Sequence, residues 1–327
     1  MTGNGKTALI LGITGGVGGA TASALRRHGW TIRALYRDPA KLTAASGIDG
    51  RRGDALVPAD VIAAADGVDV IVHAVNPPGY RNWETTVLPM LQSTIAAAKT
   101  SGARIVLPGT VYNFGSHPPA LADEDAPQVA DTKKGAIRVA LERALENSGL
   151  PVLILRCGDF FGGPAGNSWF GQAMVKPGRP VTRIVWPGRT GVGHAFAYLP
   201  DVAETIARLL AREAELPRFA RFHMDGHWFA NEGDVLAAFR AATGRDDLRL
   251  ARFPWGLLRL AAPFVPLFRE MAELRYLWQV PLRLDNRRLT TFLGAEPHTP
   301  APVALREALR SLGCLETPPV AEKAPAR

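Results

Sequence analysis

Cysteine is scarce. Cys157 and Cys314 are the only two in 327 residues and lie far apart. No disulfide framework or cysteine metal cluster can be read from them, and a reducing cytoplasm fits. No segment has the length and apolarity of a membrane span. The opening MTGNGKTALILGITGG is no signal peptide, because glycines interrupt its short apolar run. A basic run and an aromatic-basic module are also missing, although the net charge is +8. The scattered Lys and Arg residues suit a solvated surface with a few contacts to an anionic ligand, rather than a grip on nucleic acid. There is no internal repeat. What remains is a chain 47% hydrophobic and 21% charged, enough to bury a large core in one domain or two closely joined ones.

Apolar runs alternate with helical patterns through the first half. TALILGI (7–13), TIRALYR (31–37), VDVIVHAV (68–75), ARIVLPG (103–109) and PVLILR (151–156) read as buried strands. Helical patterns fill 17–28, 58–65, 83–100 and 132–148. This alternation predicts an α/β fold, with a parallel sheet covered by helices on both faces. Gly29, Gly67, Gly102 and Gly149 stand where left-handed helix caps are expected. After Arg156 the chain turns loop-rich. AFAYLPDVAETIARLLARE then reads as a strand entering a helix, with Asp201 as its expected N-cap. The stretch 253–278, rich in leucine and aromatics, is a candidate for touching a membrane. Arg259, Arg269, Glu270, Glu273 and Arg275 interrupt it, Pro263 and Pro266 break it, and a buried lid or interface is the expectation. The tail 317–327 reads as disordered.

GITGGVG (12–18) sits between the first strand and the first helix. Gly12 permits a tight turn, Thr14 lies within it, and Gly15 and Gly16 let the backbone approach a pyrophosphate. Gly18 lets helix and strand pack. The amides of Gly16 and Val17 open a helix whose positive end suits phosphates. The second strand ends in LYRDPAK. An acidic residue at that tip would favour NAD; Arg37 stands there, with Asp38 beyond it and Lys41 one turn later. Arg37 is either a solvated strand end or the fork that binds a 2′-phosphate. The expected cofactor is therefore NADP, with NAD the alternative.

These motifs resemble the short-chain dehydrogenase/reductase superfamily in its extended and atypical branches, the NAD-dependent epimerase/dehydratase group. The likeness covers most of the chain. It implies a Rossmann-type doubly wound sheet over residues 1–157, with 195–215 returning to it. A smaller substrate-binding part would comprise 158–194 and 216–316. In RGDA (52–55), Asp54 and Ala55 would border the adenine. In HAVN (73–76), Ala74 and Val75 would line the cofactor. TVYNFG (110–115) falls where the family often carries a VYG-type turn. A dimer through the helices at 83–100 and 132–148 is a family-level expectation.

The family's catalytic Ser or Thr, Tyr and Lys are not all here. If Glu142 matches the acidic residue that often follows the Lys by four, Arg138 holds the Lys position and Lys134 the Tyr position. Pro108 then holds the Ser position, with Thr110 two residues on. No Tyr lies between Tyr112 and Tyr198. Lys133, Lys134 and Arg138 crowd the start of a helix, where the helix dipole disfavours cations. Either they form a solvated face or they point at an anion. Lys134 and Arg138, four apart, share one face. Arg138 is the candidate donor to ribose hydroxyls, paired with Glu142. Lys134 is the candidate base or anion contact, and Tyr112 the candidate phenol. Asp159, Asn167 and His194 are candidate substrate contacts, whereas His73 reads as a core histidine and DGHWF (225–229) as structural. The implied activity is hydride transfer at an oxygen-bearing carbon of a small substrate. The rival is a non-catalytic NADP(H) sensor of the NmrA-like kind.

Overall fold

The computed structural model describes residues 5–39, 47–77, 82–164 and 168–315. The first half runs β1 (Thr7–Leu11), α1 (Gly16–Arg27), β2 (Thr31–Tyr36), β3 (Ile48–Arg52), α2 (Pro58–Ala64), β4 (Val70–His73), α3 (Trp83–Ser101), β5 (Arg104–Gly109), β6 (Leu121–Ala122), α4 (Lys133–Asn147) and β7 (Val152–Arg156). The second runs β8 (Asp159–Phe161), β9 (Arg183–Trp186), β10 (His194–Tyr198), α5 (Leu199–Ala211), β11 (Phe219–His223), β12 (His227–Phe229), α6 (Glu232–Thr243) and β13 (Arg249–Arg252). It closes with α7 (Trp255–Ala261), α8 (Pro266–Glu273), β14 (Arg283–Leu284), α9 (Arg287–Leu293) and α10 (Ala301–Ser311).

Seven parallel strands form the central sheet in the order β11-β7-β5-β4-β1-β2-β3. The apolar runs are continuous because both faces are covered. Leu9 and Leu11 face one cluster with Val61, Leu91 and Leu141. Ala8 and Ile10 face the other with Leu25, Ile206 and Leu210. The helix-covered parallel sheet expected from the alternation is present, with the Rossmann-type winding that the resemblance implies, and α5 shares the second cluster with α1. β3 has no counterpart among the apolar runs, because IDGRR carries almost no apolar pattern at the exposed sheet edge. The chain winds outward from β1 through β2 to β3, then reverses to β4. A crevice therefore opens past the carboxyl ends of β1 and β4, where such sheets bind ligands.

Two expectations need correction. Asp201 does not cap α5: the helix starts at Leu199, with Pro200 in its first turn. Its carboxylate instead accepts from the amide and hydroxyl of Thr299, both at 2.7 Å. The 253–278 stretch is only partly buried. Leu258, Met271, Leu274 and Trp278 enter the core, whereas Leu257, Leu260 and Phe264 are exposed. The reason is geometric: α7 and α8 form a hairpin with only one side against the body. Among the described residues, no helix is long and apolar enough to cross a membrane.

Three buried histidines make the fold acid-sensitive. Burial, with the charge of Arg138, lowers His73 to about 3. Burial and Arg156 lower His223 to about 3. Burial and His298 lower His227 to about 4. The unfolded chain takes these protons near 6.5, so it binds more protons than the folded chain below that pH. The stability is whole above about pH 6.5 and falls below it, by up to about 1.4 kcal/mol per pH unit for each histidine. Urea midpoints should fall steeply between about pH 6.5 and pH 4.5. A flat profile across that window would contradict this account.

Candidate functional site

The loop after β1 is shaped by two glycines. Gly12 has φ +90°, and a Cβ there would meet the Ala74 carbonyl oxygen at 2.5 Å. A Cβ on Gly18 would land on the Gly12 carbonyl. Both are therefore required by the fold itself. Gly15 is different. Its backbone is extended, its amide donates to the Gly12 carbonyl at 2.9 Å, and a Cβ there meets only that carbonyl, at 3.3 Å. No side chain caps α1. The first-turn amides, including those of Gly16 and Val17, are thus left to serve an anion.

Gly12, Thr14, Gly15, Arg37, Asp54, Ala55, Ala74 and Val75 line one cleft of about 330 Å³. Gly16, Val17 and Gly18 lie in the first turn of α1 instead, and Gly16 faces Leu199 and Gly163. The cleft also takes in Tyr36, Asn76, Pro77, Thr86 and Met90, which the motifs did not single out. Thr86 and Met90 come from α3, so only the fold brings them there. The Asp54 amide donates to Asp60 at 2.8 Å, which fixes the cleft's floor. Arg37 is largely exposed, and its guanidinium stands 3.9 Å from the Asp54 carboxylate. So loose an ion pair stabilises little and leaves the fork able to turn to a ligand. Lys41 and Asn167 lie outside the described residues.

A second, smaller pocket of about 100 Å³ continues from the cleft through Asn76 and Pro77. Thr110, Tyr112, Arg138 and Asp159 line it, with Trp83 and Trp169. Arg138 donates to Asn76 at 3.2 Å and lies over the Trp83 ring, 4.9 Å from its centre. Tyr112 sits in a short 3-10 turn, Tyr112–Phe114, just past β5. Asp159 and His194, both expected at the substrate, are partners, with 2.8 Å between the Asp159 carboxylate and His194 Nε2. The His194 ring stacks on Trp278, 3.7 Å between centres and 5° from parallel. His194 does not line the small pocket. It holds the carboxylate that does.

Lys134 does not line the crevice. It is buried, its ammonium pairs with Glu270 and Glu273 of α8, and its amide donates to Glu273 at 2.9 Å. The two carboxylates satisfy the cation and offset the helix-dipole cost. Glu142 does not pair with Arg138 either. It takes Arg156 at 2.9 and 2.7 Å and Asn113 at 3.0 Å, below the pocket. Burial and a polar partner also explain His73, whose Nδ1 is 2.8 Å from Thr94 Oγ1. Tyr276, from the short helix Leu274–Trp278, is a phenol the sequence motifs did not mark. Burial raises it well above the ordinary range, and Asp131, Glu273 and Asp159 push the same way. It stays neutral, and it lines neither pocket.

The NAD(P)H-binding family model matches residues 12–185, just over half the chain. The chain belongs to the NAD(P)H-binding family. The matched span runs from the glycine loop through both pockets to β9. No curated protein matches the sequence. Among solved structures, a putative epimerase from Burkholderia cenocepacia J2315 superposes with TM-score 0.71 at 17% identity, covering 95% of this chain and 99% of the other. The UDP-Glc/GlcNAc 4-epimerase from Campylobacter jejuni gives 0.70 at 16% identity, with 94% and 99% covered. UDP-glucose 4-epimerase from Bifidobacterium longum, in complex with NAD+ and UDP, gives 0.70 at 13%, with 94% and 98% covered. This NAD(P)H-binding protein therefore shares the epimerase fold along nearly its whole length. Among its described residues, no cluster of His, Cys, Asp and Glu is placed to hold a metal ion.

Proposed function

We propose that the protein is an NAD(P)(H)-dependent oxidoreductase or epimerase acting at an oxygen-bearing carbon of a small substrate. The observation that carries this reading is the continuity of the two pockets through Asn76 and Pro77. A dinucleotide laid along the larger cleft would bring its reactive ring to the smaller one. When bound, that ring supplies or accepts hydride. Arg138, steadied by Asn76 and Trp83, would hold the ribose next to it. Thr110 and Tyr112 would offer hydroxyls to the reacting oxygen, with Tyr112 moving the proton. Asp159, oriented by His194, would take a donor group of the substrate. Lys134 is assigned a positioning role, tying α4 to α8.

NADP(H) is the preferred form in this reading, because Arg37 can fork a 2′-phosphate. Calorimetric titration should show NADPH binding more tightly than NADH by about 1.5–3 kcal/mol, the range of a hydrogen bond to a charged group. The difference should shrink in Arg37→Ala. Equal affinities in the wild type would remove the assignment.

The locked Lys134 favours a second reading, a non-catalytic cofactor sensor, since it blocks the position from which the family's Tyr works. Turnover separates the two. Oxidation of NADPH with any of a broad carbonyl panel, lost in Tyr112→Phe and weakened in cofactor affinity by Arg138→Ala, supports the enzyme. Tight NADPH binding with no turnover on the panel supports the sensor.

A further inference from the structure

Leu257, Leu260 and Phe264 are 69%, 77% and 85% exposed. They are the three most exposed large apolar side chains among the described residues, and all lie in the α7–α8 hairpin. With Leu267 and Phe268 they line an open apolar trough of about 860 Å³. Leu258 and Met271 anchor the same helices in the core. The charges of the hairpin are unevenly placed. Its two carboxylates, Glu270 and Glu273, are drawn down onto the buried Lys134. Arg259 and Arg269 stay exposed, as does Arg252 at the end of the preceding β13, with Arg269 3.8 Å from Glu270. The face turned outward is therefore apolar and cationic. That pairing matches the boundary between acyl chains and anionic headgroups.

We propose that the α7–α8 hairpin docks on an anionic membrane surface. Leu257, Leu260 and Phe264 enter the acyl boundary, and Arg259 and Arg269 meet lipid phosphates. Helices of seven and eight residues are far too short to span the bilayer, so the protein lies on it. A second copy suits the face less well. A two-fold contact would bring the same arginines together while the nearby carboxylates are held by Lys134. The trough also adjoins the small pocket, because Trp169 lines the pocket and packs on Phe253 and Trp255.

The test is co-sedimentation of the full chain with phosphatidylcholine vesicles containing roughly 30% phosphatidylserine, beside pure phosphatidylcholine vesicles. The wild type should pellet with the anionic vesicles, and less so as salt rises. Leu260→Glu/Phe264→Glu should weaken binding by about tenfold or more. Arg259→Glu/Arg269→Glu should weaken it on anionic vesicles. Dinucleotide affinity, unchanged in all variants, confirms that they fold. No pelleting at millimolar lipid overturns the proposal, as does undiminished binding by Leu260→Glu/Phe264→Glu. A concentration-dependent dimer lost in that variant, without vesicle binding, gives the face to a second copy.

Discussion

Replacing Gly15 with valine should abolish dinucleotide binding and leave the protein folded. A Cβ at Gly15 meets only the Gly12 carbonyl, at 3.3 Å, and the backbone there is extended. A side chain there needs the Gly12 carbonyl to give by only a few tenths of an ångström, a far smaller demand than at Gly12 or Gly18. The valine methyl groups would stand over the α1 amides and hold a pyrophosphate away from them. Loss of two charge-assisted hydrogen bonds, at about 1.5–3 kcal/mol each, is a drop of at least about a hundredfold in affinity. Gly18→Val is the contrasting variant. Its side chain would fall on the Gly12 carbonyl, so it should lose stability before it loses binding. Calorimetric titration beside thermal melting distinguishes the two effects. Wild-type affinity in a folded Gly15→Val would show that phosphates do not bind at this loop.

The second large effect concerns stability. Glu142→Ala should cost about 3–5 kcal/mol, because it leaves the guanidinium of Arg156 charged and unpaired in the interior. Arg156 has no exposed surface, and Glu142 takes two of its hydrogen bonds. Arg221 stands 3.4 Å from the same carboxylate and would lose that ion pair, keeping its hydrogen bond to the Glu124 carbonyl. The double variant Glu142→Leu/Arg156→Met removes both charges of the central pair and should recover much of the loss. Urea unfolding measures each. A cost below about 1 kcal/mol for Glu142→Ala would mean that water or a rearranged partner reaches Arg156.

The sheet was legible because period and burial agree along the chain. Ala8, Leu9, Ile10 and Leu11 alternate between the two apolar clusters, so β1 is apolar throughout. The tight loop after β1 was legible because its glycines answer local demands, at Gly12 and Gly18 most directly. The side-chain partners were not legible. Lys134 finds Glu273 from 139 positions away, and no helix pattern in α4 records that. Helical spacing makes Glu142 the neighbour of Arg138 one turn back, but Arg156 on β7 makes a two-point hydrogen bond with it. Asp159 and His194 were each marked for the substrate. Their contact with one another follows from β8 lying beside β10, a pairing the loop-rich sequence between them conceals. The exposed face of α7 was hidden for a related reason. Composition cannot say whether a leucine-rich stretch is packed on one side or on both.

The central claim is that one crevice carries a dinucleotide from the glycine loop to the small pocket. A crystal structure of the wild-type protein with NADPH tests it most directly. The account predicts the pyrophosphate over the first turn of α1, the adenosine end beside Arg37 and Asp54, and the nicotinamide ribose against Arg138. The ring should face Tyr112 and Asp159. A dinucleotide bound away from the glycine loop, or one whose nicotinamide lies outside the pocket lined by Tyr112, Arg138 and Asp159, would contradict it.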